Sequence, residues 1–98
     1  MAFIEVKLTR IIDSSFPTFG EFEFVDASGE IVVILEKFLV VGIDEPMAES
    51  PLPIKGKMAC SVISRSKVDV LIDIEKPDGI VDLNGRTRFQ ISADKLIE

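Results

Sequence analysis

Apolar and polar residues alternate along much of the chain, most clearly between Lys57 and Ile74. A period of two is typical of half-buried strands, so this segment is predicted to be a β-hairpin. Pairing Val62 with Val68 places the apolar partners on one face and sets Lys57 opposite Asp73 on the other. The residues predicted to share the inner face are Met58, Cys60, Val62, Val68, Val70, Ile72 and Ile74.

Similar patterns predict further strands on both sides of this hairpin. Phe3 to Thr9 alternates in the same way, with Ile4, Val6 and Leu8 facing inward. Turns with glycine at the position that favours a positive φ are predicted at Asp26 to Gly29, Glu75 to Gly79 and Asp82 to Gly85. Across the first of these turns, Phe24 is expected to face Ile31, and Phe22 to face Val33.

The segment from Ile31 to Leu35 is apolar at every position, which predicts a strand covered on both faces or one that bends between sheets. Six to seven short strands without a long helix indicate one all-β domain over residues 1–98. A small Greek-key β-barrel of the OB or SH3-like kind covers such a strand best. A two-sheet β-sandwich is the alternative architecture.

Composition narrows the classes of function. The chain carries 17 acidic and 11 basic residues, giving a net charge of −6 and a pI near 4.6, so nucleic acid is not an expected partner. The apolar fraction is 47%, with a mean hydropathy of +0.34, which suggests that some apolar side chains meet another chain. The most apolar run, Ile31 to Ile43, contains Glu36 and Lys37 and is too short to cross a bilayer. Without a recognisable secretory signal, a cytoplasmic protein is expected.

Catalytic motifs are missing from the sequence. There is no histidine, which removes the common catalytic triads and zinc sites, and no glycine-rich phosphate loop is present. Cys60 lies in phase with apolar neighbours, so a buried thiol with a raised pKa is expected. The carboxylates from Asp69 to Asp78 and those at 44–49 lack the spacing of a calcium loop and are interpreted as solvated surface. We therefore expect a protein that is not an enzyme, with no catalytic residue, cofactor or metal.

Three groups of residues are the candidates for binding. The apolar surplus predicts a homodimer, in which the outward-facing members of the apolar run meet a second copy. Arg86 and Arg88, on one parity of the last predicted strand, are a candidate anion site, against the alternative of a charged edge strand. The apolar candidates are Val32, Ile34, Phe38 and Val40, and the acidic candidates in the proline-rich loop are Asp44, Glu45 and Glu49.

Several turn and core positions together resemble a group of short uncharacterised bacterial proteins that are built as one β-domain. They are Glu36-Lys37, Leu52-Pro53, Gly56, Cys60, Val62, the run from Lys76 to Ile80, Gly85 and Phe89. The resemblance implies the fold and supplies no function, because these positions carry no catalytic group. Some small acidic proteins of this kind are similar to immunity proteins that neutralise partner toxins, in size and charge only.

Two functions of different class follow from the sequence. The first is a non-enzymatic protein-protein interaction module, which either self-associates or inhibits a basic partner as an immunity protein does. The alternative is an OB-like barrel that binds a small ligand or single-stranded nucleic acid. The absence of tryptophan and tyrosine disfavours base stacking and therefore the nucleic-acid form of the alternative.

Overall fold

Antiparallel strands form the framework of the protein, whose computed structural model describes residues 1–13, 18–37 and 52–98. The strands of this described part are β1 (Ala2–Asp13), β2 (Phe19–Val25), β3 (Ile31–Lys37), β4 (Ile54–Arg65), β5 (Asp69–Asp73), β6 (Arg88–Ser92) and β7 (Leu96–Ile97). A 3₁₀ turn, Ala93–Lys95, joins β6 to β7.

The strands lie in the order β3-β2-β1-β4-β5-β6, and β7 pairs with β1 outside this path. The first four follow the Greek-key order, because β4 returns from β3 to lie beside β1. The sheet curls into a half-barrel. Two backbone hydrogen bonds join the two ends of the sheet. The N–H of Leu83 donates to the carbonyl of Val33 at 3.1 Å, and the N–H of Ala27 donates to the carbonyl of Gln90 at 2.8 Å. The predicted all-β, barrel-like fold is confirmed, and the strands form one sheet instead of the two of a sandwich.

The inner face of the curled sheet holds the hydrophobic core. On β1, Ile4, Val6 and Leu8 are at most 2% exposed, and Glu5 and Lys7 between them are exposed, as their alternation predicts. The inward parity predicted for β5 is also confirmed. The other fully buried large side chains include Phe22, Val32, Ile34, Met58, Ile72, Ile74, Ile80 and Ile91.

The hairpin of β4 and β5 forms as predicted, but its predicted register is wrong. Val62 pairs with Ile72 instead of Val68, and a bulge interrupts β4 after Val62. Val68 lies in the turn and is 70% exposed. Two hydrogen bonds between Ser66 and Asp69 close the turn. The N–H of Ser66 donates to the carbonyl of Asp69, and the hydroxyl of Ser66 accepts a hydrogen bond from the N–H of Asp69. Side-chain bonding therefore places the reversal later in the chain than the apolar alternation suggests.

Two turns of the same construction, Asp26–Glu30 and Asp82–Arg86, meet at one end of the barrel. In each, the glycine N–H bonds the carbonyl of the aspartate at 3.0 to 3.1 Å, and the aspartate N–H bonds the carbonyl of the last residue at 2.9 to 3.0 Å. The two glycines have φ values of +88° and +79°, which only glycine adopts readily. Both are therefore three-residue hairpin loops with a left-handed glycine.

The first of these turns sets the register of β2 and β3. Phe24 pairs with Val32 and Phe22 with Ile34, one residue away from the predicted partners, because Glu30 closes the loop opposite Asp26. A shift of one residue exchanges the two faces of a strand. Val32 and Ile34 are therefore fully buried, and their prediction as outward-facing contact residues is wrong.

Candidate interaction surface

The outer face of β2 and β3 exposes a row of apolar side chains, here called the apolar stripe, made of Val25, Ile31, Val33 and Leu35. Val25 is 53% exposed, Ile31 56% and Leu35 43%, whereas Val33 is half-buried. Val25 and Ile31 are cross-strand partners, so the stripe is continuous from β2 onto β3. Leu83, which is 58% exposed, has its backbone beside the stripe, since its N–H donates a hydrogen bond to the Val33 carbonyl.

Acidic residues of β2 border the apolar stripe on the same face. Glu21 and Glu23 lie opposite stripe residues of β3 on one side, and opposite Arg10 and Lys7 of β1 on the other. Glu21 forms an ion pair with Arg10 at 3.2 Å and accepts a hydrogen bond from the hydroxyl of Thr9 at 3.2 Å. At these paired positions the face carries three parallel rows: basic residues on β1, acidic residues on β2 and apolar residues on β3.

The guanidinium of Arg86 is held between the two similar turns. Its Nε donates to a carboxylate oxygen of Asp82 at 2.8 Å, and one of its terminal nitrogens lies 3.5 Å from Glu30. The Cζ atom of Arg86 lies 5.3 Å from the centre of the Phe89 ring, within the range of a cation–π contact. Phe24 packs edge-on against the same ring at 5.4 Å. Arg86 thus joins the outer charged groups to the core.

Asp82 is the buried acid of this cluster. Besides the guanidinium, it accepts the backbone N–H of Asn84 at 2.9 Å and that of Arg86 at 2.7 Å. Burial alone would raise its pKa, but these hydrogen bonds and the positive charge of Arg86 together hold the pKa of Asp82 below its ordinary value. The same contacts raise the pKa of Arg86, chiefly through its bond to Asp82. The pair is therefore ionised at neutral pH.

The predicted anion site is not assembled as a pair of free arginines. Two carboxylates already neutralise Arg86, so its charge serves to join the two turns. Arg88 is exposed on β6, where it lies across from Asp73, and forms none of the ion pairs found among the described residues. The ion pairs of Arg86 count against an anion site at that residue, and the assignment of Arg86 and Arg88 to an anion site stays a prediction.

The structure does not describe the other candidates for partner binding. These are Phe38, Val40, Asp44, Glu45 and Glu49, which lie outside the described residues.

The carboxylates along β5 and its exit, by contrast, lie in the described part. There the acidic and thiol side chains form no cluster suited to a metal ion. Asp73, predicted to face solvent, is 8% exposed, and its carboxylate accepts the N–H of Glu75 at 2.9 Å. Cys60 is a buried free thiol, and burial raises its pKa to about 11, as its apolar phase predicts.

Sequence analysis missed the exposed members of the apolar stripe because Ile31 to Leu35 is apolar on both parities. The signal that identifies the outer face lies in the turn. A three-residue loop with glycine in its last position pairs the residues on either side of Asp26 and Glu30, which places Val25 opposite Ile31. The sequence DASGE at 26–30 and DLNGR at 82–86 shows this pattern twice.

Comparison of the chain with models of protein families, with curated proteins and with solved structures gave no match. None of the helical segments in the described part is long and apolar enough to span a membrane.

Proposed function

We propose that the protein is a non-enzymatic interaction module that binds a basic partner protein through the apolar stripe and its acidic border. The observation that carries the proposal is the continuous exposed apolar row on β2 and β3 beside Glu21 and Glu23. Apolar surface rimmed by polar residues is typical of protein-binding sites.

The charge of the protein supports a basic partner. The net charge is −6, and the carboxylate of Glu23 forms no ion pair with a described residue. Opposite charges across an interface speed encounter and exclude partners of the wrong sign. A chain of this size and charge would inhibit such a partner by covering its basic surface, as immunity proteins do.

Self-association through this face is less well supported. A twofold axis that runs across the strands of this face would set the acidic rows of two copies against each other, which costs free energy. Pairing of β3 with a second β3 is also interrupted at Val33, because its carbonyl already accepts the N–H of Leu83. A homodimer is therefore kept as an outcome of the test.

Binding of single-stranded nucleic acid has little support from the surface. The described phenylalanines are all buried or half-buried, with Phe22, Phe24 and Phe89 in the core. Base stacking needs exposed rings, and phosphate needs a basic groove. The basic side chains of β1 lie directly beside the acidic side chains of β2, so they do not form a basic groove.

The test is affinity capture from the native host with matched variants of the whole chain. Ile31→Lys places a charge in the stripe, and Val68→Lys places the same charge on an apolar residue that is 70% exposed in the β4–β5 turn. We expect one basic protein to be retained by the wild type and by Val68→Lys, to be lost with Ile31→Lys, and to be released by salt.

Two results would overturn the proposal. One is equal capture by both variants, which would place the contact elsewhere on the protein. The other is sedimentation of the wild type as a dimer that Ile31→Lys converts to the 10.8 kDa monomer, which would make a second copy the partner. Circular dichroism of both variants checks that the fold is intact.

A further inference from the structure

A gap in the sheet opens beside β1. On one side of this strand, β7 pairs with Phe3 and Ile4, whereas β2 pairs only from Lys7 onward. Neither neighbour pairs with Glu5 or Val6 between these points. A pocket of about 150 Å³ lies at this gap.

The pocket reaches the hydrophobic core. Ile4, Phe24 and Ile91 line it and are 2%, 7% and 1% exposed, so they form an apolar floor. The other lining residues belong to β1, β2 and the 3₁₀ turn: Glu5, Lys7, Glu23, Val25 and Lys95. Apart from Val25, all of these are charged.

The charged residues around the floor are of both signs. Glu5, Lys7, Glu23 and Lys95 take part in none of the ion pairs formed among the described residues. Lys7 and Glu23 are cross-strand partners, so a positive and a negative group come from neighbouring positions of the sheet. An apolar pocket with a few converging polar groups is typical of a small-molecule site.

Size and charge together define the ligand. A closed apolar cavity of about 150 Å³ accommodates a benzene-sized molecule, so one phenyl ring or branched aliphatic group fits the floor. Groups of both signs at the mouth suit a ligand that carries an ammonium and a carboxylate together.

We propose that this pocket binds a small zwitterion with an apolar side chain, the chemical class of the apolar α-amino acids. The side chain lies on Ile4, Phe24 and Ile91, Lys7 and Lys95 attract the carboxylate, and Glu5 and Glu23 attract the ammonium. The site does not depend on the proposed protein partner, although Val25 and Glu23 belong to both surfaces.

The test is titration of the ¹⁵N-labelled chain with L-phenylalanine, followed by amide chemical shifts. We expect saturable shifts at the lining residues. 2-Phenylethylamine and 3-phenylpropionate each keep the ring and lose one charge, and we expect each to bind about tenfold more weakly, which corresponds to about 1.4 kcal/mol. Equal affinity for either of these would overturn the zwitterion assignment, and absence of saturable shifts with L-phenylalanine and L-leucine would overturn the site.

Variants locate the binding. Val25→Trp fills the mouth from a side chain that is 53% exposed and should abolish the shifts, while Lys95→Met should weaken binding about threefold to tenfold. Lys76→Met removes a charge that is also exposed, in the turn after β5, and should have no effect. Binding that survives Val25→Trp would refute the pocket. Leu35→Lys charges the stripe opposite Glu21, which does not line the pocket, and should leave amino-acid binding unchanged. Failure of the pocket proposal is therefore distinguishable from failure of the protein-binding proposal.

Discussion

The two similar turns provide a matched test of what burial adds to a turn aspartate. Asp82→Ala removes a carboxylate that is 2% exposed and accepts three hydrogen bonds, two from backbone N–H groups and one from Arg86. Asp26→Ala removes the equivalent carboxylate, which accepts the N–H groups of Ser28 and Glu30 and the hydroxyl of Ser28. The number of bonds is the same, so the comparison isolates burial and the charged partner.

The expected loss of stability differs between the two positions. Hydrogen bonds to charged groups contribute about 1.5 to 3 kcal/mol each, but the donors of both turns are near solvent and regain water. Asp26→Ala should therefore cost about 1 kcal/mol, similar to the loss of a helix N-cap. Asp82→Ala also leaves Arg86 without its nearest counter-charge and opens space against the core, so we expect about 2 to 4 kcal/mol.

Urea denaturation followed by circular dichroism measures both values, since the chain has no tryptophan or tyrosine to report by fluorescence. Each kcal/mol should shift the melting temperature by about 4 to 8 °C in a domain of this size. Equal losses for Asp82→Ala and Asp26→Ala would refute the argument that burial and Arg86 strengthen the second turn.

The pKa of Asp82 adds a pH dependence to this prediction. Its folded pKa is lowered, so its ionised form contributes stability above its unfolded value, and the contribution is lost as pH falls through the folded pKa. The stability gap between wild type and Asp82→Asn should therefore be largest near neutral pH and shrink below about pH 4. A gap that stays constant from pH 7 to pH 2 would show that the charge of Asp82 does not stabilise the fold.

The remaining predictions concern the core, the first turn and the thiol. Val70→Asp should prevent folding by burying an unpaired charge, whereas Asp69→Ser should be tolerated; equal stability in urea would show that the β5 parity is wrong. Gly29→Val should cost about 1 to 3 kcal/mol and Gly29→Asn less, because a Cβ there meets no neighbour and only the positive φ is strained. Cys60 should resist alkylation at pH 8 in the native protein and react in urea, and rapid native labelling would contradict its burial.

Inward parity could be predicted from the sequence, but register could not. Alternation is local, so Ile4 and Val70 are placed correctly from their immediate neighbours. Register depends on where each turn closes, and at Ser66 a side-chain hydroxyl decides this. From Ile31 to Leu35 both faces of the strand are apolar, so alternation does not indicate which face is buried. The register set by the turn alone determines which residues face outward.

The charged cluster was also beyond sequence analysis, for a different reason. Asp82 and Arg86 are close in the chain, but Glu30 belongs to a turn more than fifty residues away. Only the curling of the sheet brings the two turns together, through the bonds of Leu83 and Ala27. The sequence therefore predicts that Arg86 and Arg88 are both free to bind an anion, although Arg86 forms ion pairs within the protein.

The location of the apolar stripe at the sheet edge limits what the stripe can contribute to the fold. Core packing is complete on the opposite face of β3, where Val32 and Ile34 are fully buried, so Ile31 and Leu35 add little to the buried area. An exposed apolar row carries a cost, because it promotes association. The fold alone does not account for this exposed apolar row, whereas the proposed partner surface does. The acidic row of β2 agrees with the proposed basic partner, because carboxylates beside the stripe attract a surface of opposite charge.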